Sequence, residues 1–353
     1  MNGLQMNDRR TSSNTEYTPM EQLNDDHFEL GTIFQRKCRQ LFGRFIKSIL
    51  LVLIIAFIYA LIQIIASKNV SQLLSCPNSN EAEFHAALSQ QQRGMVDVRL
   101  ENGLLDVSGT WSQIPIHFNQ IWKKQMSKIE TVKLKSDIEE IKYFLPFCPN
   151  VNLHKRTCTV VTFGVGHTVK AEKELLKIYP ECHLIAADPS DEINANLTQS
   201  IGGTFVHGPI GAETANQQPV ISWGATITEL KLEKQIGIID FLNNHTNWHH
   251  DPVDLLLMDI EGAEFPIIEL FAYHFERFTG SICQINIEVH DPNTLIANYT
   301  HQQFFQSFDT LVRSGQFALM NTDMYTGDAP LHMFLRMFFV NVVDEKCTKK
   351  FLC

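Results

Sequence analysis

The chain has 353 residues, enough for one full-sized domain with appendages. With 44% hydrophobic and 19% charged residues it is neither collagen-like nor wholly disordered. A formal net charge of -10 argues against a nucleic-acid surface, because neutralising phosphates needs clustered Lys and Arg.

Residues 1–48 are read as a cytosolic tail. The first thirty are rich in Asn, Thr, Asp and Gln and too poor in apolar side chains to offset the entropy of ordering. Residues 49–66 form an apolar run interrupted by Gln63 and are predicted to span a bilayer as one helix. At about 1.5 Å per residue the run covers about 27 Å, which suits the thinner endoplasmic-reticulum type of membrane. About fifty residues precede it and no small-residue cleavage site follows, so the run is expected to be an anchor rather than a cleaved signal peptide. Arg36, Lys37, Arg39, Arg44 and Lys47 lie before the run with no acid among them, whereas Lys68 stands alone after it, ahead of Glu81 and Glu83. The positive flank stays in the cytosol, which places the rest of the chain in the lumen of the endoplasmic reticulum or Golgi. The N-x-Ser/Thr acceptor sites at Asn69, Asn196, Asn244 and Asn298 all follow the run and agree with that orientation.

Cys38 falls on the cytosolic side, leaving Cys76, Cys148, Cys158, Cys182, Cys283, Cys347 and Cys353 in an oxidising compartment. Cys158 and Cys283 lie inside apolar strand-like runs and are expected as buried free thiols, with bridges among the other five. No C-x-x-C spacing occurs to complete a site with His245 and His249, the chain's H-x-x-x-H pair, which disfavours structural zinc. His249-His250-Asp251 is read as a polar loop before a strand.

Residues 67–120 read as a luminal stem and lead-in, and 121–353 as the folded domain. Ile121, Met126, Ile129, Val132, Ile138 and Ile141 recur at near-helical spacing up to Pro146 and predict an amphipathic helix. Strand-like runs at 159–163, 183–187, 204–207, 253–258 and 282–289 follow, with helix-like runs at 169–178, 191–199 and 263–271. That alternation predicts a parallel sheet with helices on both faces. Two further runs, 317–320 and 336–340, predict a closing antiparallel hairpin.

Three motifs carry the candidate chemistry. At Phe163-Gly164-Val165-Gly166 a strand ends in closely spaced glycines and a helix begins, a turn where backbone can approach a ligand at a helix N-terminus. Asp188 ends the next strand, where a carboxylate can take both ribose hydroxyls of a nucleoside. The turn lacks the third glycine of a dinucleotide fingerprint, so S-adenosylmethionine is the better match than NAD. Third, 255–264 reads Leu-Leu-Leu-Met-Asp-Ile-Glu-Gly-Ala-Glu, a buried strand delivering Asp259, Glu261 and Glu264 around Gly262. Helix capping by Asp259 or Glu261 is the structural alternative.

These stretches, with Ile282-Cys283-Gln284-Ile285-Asn286-Ile287-Glu288-Val289-His290, resemble the FkbM-type methyltransferases, a branch of the class I S-adenosylmethionine-dependent fold. The Gly164 turn, Ala171-Glu172-Lys173 and Ala187-Asp188-Pro189 are similar to an animal branch of that family. The resemblance covers roughly 158–347. It implies that Gly164, Gly166 and Asp188 hold S-adenosylmethionine and that Asp259, Glu261 and His290 border the transfer site. Bacterial members usually carry an acid two residues before the first glycine, where this chain has Thr162.

Methyl transfer to a hydroxyl needs alignment and a base within about 3 Å. His290 is the expected base, its ordinary pKa lying near 6.5. Asp259 and Glu261 are the alternatives, as base or as ligands of a divalent cation that acidifies the hydroxyl. The expected protein is therefore a single-pass membrane O-methyltransferase acting on a luminal, hydroxyl-bearing acceptor such as a glycan. Two other classes fit the layout. A Golgi-type glycosyltransferase would use Asp259-Ile260-Glu261 as its acid-x-acid motif, and a non-catalytic binding module would keep the fold alone.

Overall fold

The computed structural model describes residues 114–352 apart from 117, 120–122, 128, 137–139, 154–157, 218–219, 224–225, 230–232, 292–298 and 327–332. The predicted span at 49–66 and the N-terminal tail lie outside the described residues. Among the described residues no helix is long and apolar enough to cross a membrane.

The core is a seven-stranded sheet of order β13-β14-β12-β11-β3-β4-β5. Its strands are β3 (Cys158–Phe163), β4 (Cys182–Asp188), β5 (Thr204–His207), β11 (Val253–Met258), β12 (Gln284–His290), β13 (Phe317–Thr326) and β14 (Met333–Asn341). The first five run parallel, and β14 and β13 close the sheet antiparallel. Helices Lys170–Ile178, Asp191–Ser200, Ile238–His245, Glu264–Tyr273 and His301–Ser314 connect the strands. Every residue of β11 and β12 is buried, as expected for strands covered on both faces. The last connecting helix starts at a capping box of Thr300 and Gln303 and ends at Gly315 in the left-handed conformation, φ 73°. Short strands β6 (Ile210–Gly211), β7 (Ala215–Gln217) and β10 (Glu233–Gly237) form a small side sheet, and β8 (Val220–Trp223) pairs with β9 (Thr226–Glu229).

The predicted helix at 121–141 is corrected by the structure. Among the described residues there only Lys123–Met126 is helical, and β1 (Val132–Lys135) and β2 (Ile141–Phe144) form an antiparallel hairpin. Val132-Lys133-Leu134-Lys135 alternates apolar and polar residues with the strand period, and Leu134 is fully buried. Apolar positions at 126, 129 and 132 mimic helical spacing, but Met126 ends the short helix, Ile129 lies in the bend after it and Val132 opens β1. The hairpin docks through β12. Asn286 bonds both the N–H and the carbonyl of Tyr143, and Gln284 does the same for Leu145. Ile114 and Phe118, assigned to the lead-in by sequence, pack into the same core as the sheet.

The cysteine expectation is corrected too. Cys158 bridges Cys182, its register partner across β3 and β4, and Cys283 bridges Cys347 in the C-terminal helix Glu345–Phe351. Cys148 is disulfide-bonded as well. Apolar surroundings indicate burial of a thiol but not whether a second cysteine faces it, which strand register decides. Asn196 and Asn244 are exposed, and Asn69 and Asn298 lie outside the described residues.

Candidate active site

The sheet reverses its winding between β3 and β11, the switch point at which open α/β sheets bind ligands beyond their carboxyl ends. Gly164, Asp188, Asp259 and His290 stand at the ends of β3, β4, β11 and β12, so four remote segments converge on one edge.

The glycine turn is built for two different reasons. Gly164 has φ 78°, and a Cβ on it would lie 1.7 Å from the carbonyl oxygen of Asp259, so its bareness lets β3 and β11 approach. The ligand rationale offered for this glycine by sequence thus applies elsewhere. Gly166, φ 58°, faces open space and can admit a ligand. Asp188 points at the turn. Its Oδ2 accepts the Val165 N–H at 2.7 Å and its Oδ1 accepts the Ser190 N–H at 2.7 Å. Each oxygen keeps acceptor capacity for a ribose hydroxyl. Asn194, buried on the next helix, accepts the His167 N–H at 3.0 Å and braces the turn, and His167 itself has φ 60°. The helix starting at Lys170 has no side-chain cap from its N-cap residue Val169, and its N-terminus points to the turn.

Thr162 does not leave the site without the missing acid. Its hydroxyl donates to Glu172 Oε1 at 3.0 Å, and both side chains are buried. A carboxylate on the following helix therefore reaches the strand end where bacterial relatives place theirs. Glu172, ten residues on, is legible only once the turn folds the helix back over β3.

On β12 the residues Gln284, Asn286, Glu288 and His290 share one face by the two-residue period. The first two hold the hairpin, and the last two enter the site. His290 Nδ1 bonds Glu264 Oε1 at 2.8 Å, and the His290 backbone N–H bonds the same oxygen at 2.8 Å. Glu264 is fully buried, and its Oε2 accepts the Gly262 N–H at 2.7 Å. His290 Nε2 lies 3.3 Å from Glu261 Oε2, 3.7 Å from Asp259 Oδ1 and 3.9 Å from Glu288 Oε1. The sequence-predicted trio is thus brought together, with Glu288 as an unpredicted member and Glu264, the third acid of the sequence motif, as the anchor of His290. No side chain caps the helix Glu264–Tyr273, so the capping alternative for Asp259 and Glu261 is not realised. Glu261 itself sits at φ 54°, an uncommon conformation for a residue with a Cβ.

The electrostatics alter the role expected of His290. Burial disfavours its charged form, but Glu264, Glu261 and Asp259 outweigh burial and raise its pKa well above 6.5. Held protonated in this way, His290 is a poor proton acceptor near neutrality. Burial, joined by repulsion from Asp259, pushes Glu288 up to about 8, and burial also raises Asp259. Arg336 Nε donates to Glu288 Oε2 at 2.9 Å, and its guanidinium lies 5.3 Å over the Tyr325 ring. Lys142 lies 3.4 Å from Glu140. Beside these groups is a narrow cleft between hairpin and sheet, lined by Glu140, Lys142, Tyr143, Asp259, Asp323 and Arg336, among others.

The sequence matches the Methyltransferase FkbM domain over residues 107–346, about two-thirds of the chain. No protein of curated function matches it. Among solved structures, the chain is similar to the fibrillarin pre-rRNA processing protein of Methanococcus jannaschii, at 9% identity and TM-score 0.32, covering 61% of this chain and 84% of that one. It is similar to the 1,6-didemethyltoxoflavin-N1-methyltransferase of Burkholderia thailandensis, solved with S-adenosylhomocysteine, at 13% identity and TM-score 0.30, covering 53% and 72%. Aeropyrum pernix fibrillarin, with bound S-adenosyl-L-methionine, gives 10% identity and TM-score 0.30 over 52% and 67%. Likeness at that level adds no weight to the family match. By that match, with the glycine turn, Asp188 and the β11 acids at the sheet's switch point, the chain belongs to the FkbM methyltransferase family.

Proposed function

We propose that this chain is an S-adenosylmethionine-dependent O-methyltransferase, tethered by residues 49–66 with its catalytic domain in the lumen, that methylates a hydroxyl of an acceptor such as a glycan. The observation that carries the reading is the Asp188 carboxylate bonded to the glycine turn at the same sheet edge as Asp259. The residues fit the cofactor. Gly166 opens onto space, Asp188 offers acceptors for ribose, and the N-terminus of the helix at Lys170 suits its polar end. When bound, S-adenosylmethionine supplies an electrophilic methyl group on a sulfonium, whose transfer to an alcohol oxygen releases a thioether and one proton.

The chain's residues orient the acceptor and take that proton. Asp259 is the best-placed base, because its side chain is 34% exposed to the cleft while His290 is 7% exposed behind it. Burial raises the Asp259 pKa, which strengthens it as an acceptor of the hydroxyl proton. His290, fixed by Glu264, then holds Asp259 and Glu261 in place. Charged groups interleave beside Asp259 with Tyr143, which stacks on Phe338 at 5.8 Å, a lining that suits a polar, hydroxyl-bearing acceptor. The bridges Cys158–Cys182 and Cys283–Cys347, with Cys148 also disulfide-bonded, support an oxidising compartment.

The test is mass spectrometry of glycans from cells with and without the protein, using S-adenosylmethionine carrying a deuterated methyl group. The label is expected on a sugar hydroxyl, and Asp259→Ala is expected to abolish it. Full labelling by that variant removes Asp259 from the mechanism. Heat on titration with a nucleotide sugar, and none with S-adenosylmethionine, would favour a glycosyltransferase instead.

A further inference from the structure

We propose that Asp259, Glu261 and His290 bind a divalent cation whose open positions receive the acceptor hydroxyl. The ion's role rests on the methyltransferase reading, but its binding does not. One ligand atom from each of the three lies within 4.8 Å of the others. Donors about 2.1 Å from a common ion lie about 3.0 to 3.4 Å apart in octahedral or tetrahedral order. The 3.3 Å and 3.7 Å separations at His290 Nε2 need only a few tenths of an ångström, roughly, to meet that geometry.

Three independent observations point to a ligand there. His290 is only 7% exposed, its Nδ1 is taken by Glu264, and its Nε2 is aimed between the two acids without a hydrogen bond among the described residues. A histidine whose second nitrogen is fixed by a buried carboxylate is the usual arrangement of a metal ligand, since the bond sets ring orientation and tautomer. Asp259 Oδ1 is buried and makes no hydrogen bond, a costly state for a carboxylate oxygen that a cation relieves. Finally, the charges do not balance. Asp259, Glu261, Glu264 and Glu288 all lie within 3.9 Å of one imidazole; Arg336 is bonded to Glu288, and Lys142, which also faces Asp259 and Glu288, is already paired with Glu140 at 3.4 Å, so the acids outnumber the cations. The left-handed backbone at Glu261, φ 54°, turns its carboxylate into this cluster and fits a position held for function.

Two carboxylates and one imidazole, whose Nε2 proton the incoming cation displaces, suit Mn²⁺ or Mg²⁺, with Zn²⁺ as a softer competitor. Three protein ligands leave positions for water or an acceptor oxygen. A hydroxyl bound there loses its proton more easily, to Asp259 or to solvent.

The test is titration of Mn²⁺ into the chelator-stripped full-length chain, followed by the electron paramagnetic resonance of free Mn²⁺, with melting temperature read alongside. One ion per chain is expected, and it raises the melting temperature. Asp259→Asn and Glu261→Gln are expected to abolish both effects. Glu264→Gln keeps all three ligands and should weaken binding by about 10- to 100-fold, the signature of a positioning residue. Failure of Mn²⁺, Mg²⁺ and Zn²⁺ alike to bind the unmutated chain overturns the proposal, and this arm does not depend on whether any variant folds. Binding of one Mn²⁺ that survives both Asp259→Asn and Glu261→Gln also overturns it, because the ion then sits elsewhere. Calorimetry with S-adenosylmethionine on the metal-free chain separates the two readings. Cofactor binding without Mn²⁺ binding sinks the ion alone, and Mn²⁺ binding without cofactor binding sinks its assigned role in transfer.

Discussion

Asp188→Asn is the sharpest probe of the cofactor pocket. The carboxylate already accepts two backbone N–H groups, from Val165 and Ser190, each at 2.7 Å. Its remaining lone pairs are those offered to the ribose. Asn keeps the shape but loses the charge, and its NH₂ must face one of the two N–H groups. A charge-assisted hydrogen bond contributes about 1.5–3 kcal/mol and a neutral one about 1 kcal/mol. Two ribose bonds weakened in this way cost roughly 2 kcal/mol, or about 30-fold in Kd for S-adenosylmethionine. The opposed N–H groups separately cost the fold about 1–3 kcal/mol. Calorimetric titration with S-adenosylmethionine reads the first effect and thermal unfolding the second. A variant that melts lower yet binds the cofactor with unchanged affinity would refute the ribose role, leaving Asp188 as a tie between turn and strand.

Other outcomes follow from the same geometry. Gly164→Ala sets a Cβ against the Asp259 carbonyl and should cost more than about 3 kcal/mol by denaturant unfolding, whereas Gly166→Ala, with open space around it, should cost about 1–2 kcal/mol. Equal losses at the two positions would contradict the close approach of β3 and β11. Replacing Cys158 and Cys182 together by Ser opens a loop closed over a separation of 24 residues and should cost about 3 kcal/mol, roughly 6–12 °C in Tm by calorimetry. Lys350→Met strands the buried Asp254, whose Oδ1 now lies 2.5 Å from the Lys350 ammonium, and should cost about 3–5 kcal/mol. Adding Asp254→Asn should recover part of that loss.

Much of the fold was legible because its strands are buried on both faces and short. The runs at 159–163, 204–207 and 253–258 match strands of the central sheet to within a residue, and the closing hairpin at β13 and β14 was visible as two apolar runs. The hairpin β1–β2 was not. Four residues of alternation are too few to outweigh a longer coincidence of helical spacing, and its anchors, Gln284 and Asn286, lie some 139 to 143 residues away in sequence.

The sequence by itself determined the candidate trio, the glycine turn and Asp188, because each motif is local and sits at the end of an apolar run. Only the tertiary structure decided that Glu172 stands in beside Thr162, that Glu264 fixes His290, and that Cys158 faces Cys182. It also turned His290 from the expected base into a charge held by surrounding acids. The physical reason is common to all four. A side chain's ionisation, bonding and reach depend on which remote groups share its few ångströms, and strand register and crossover geometry, not residue order, bring those groups together.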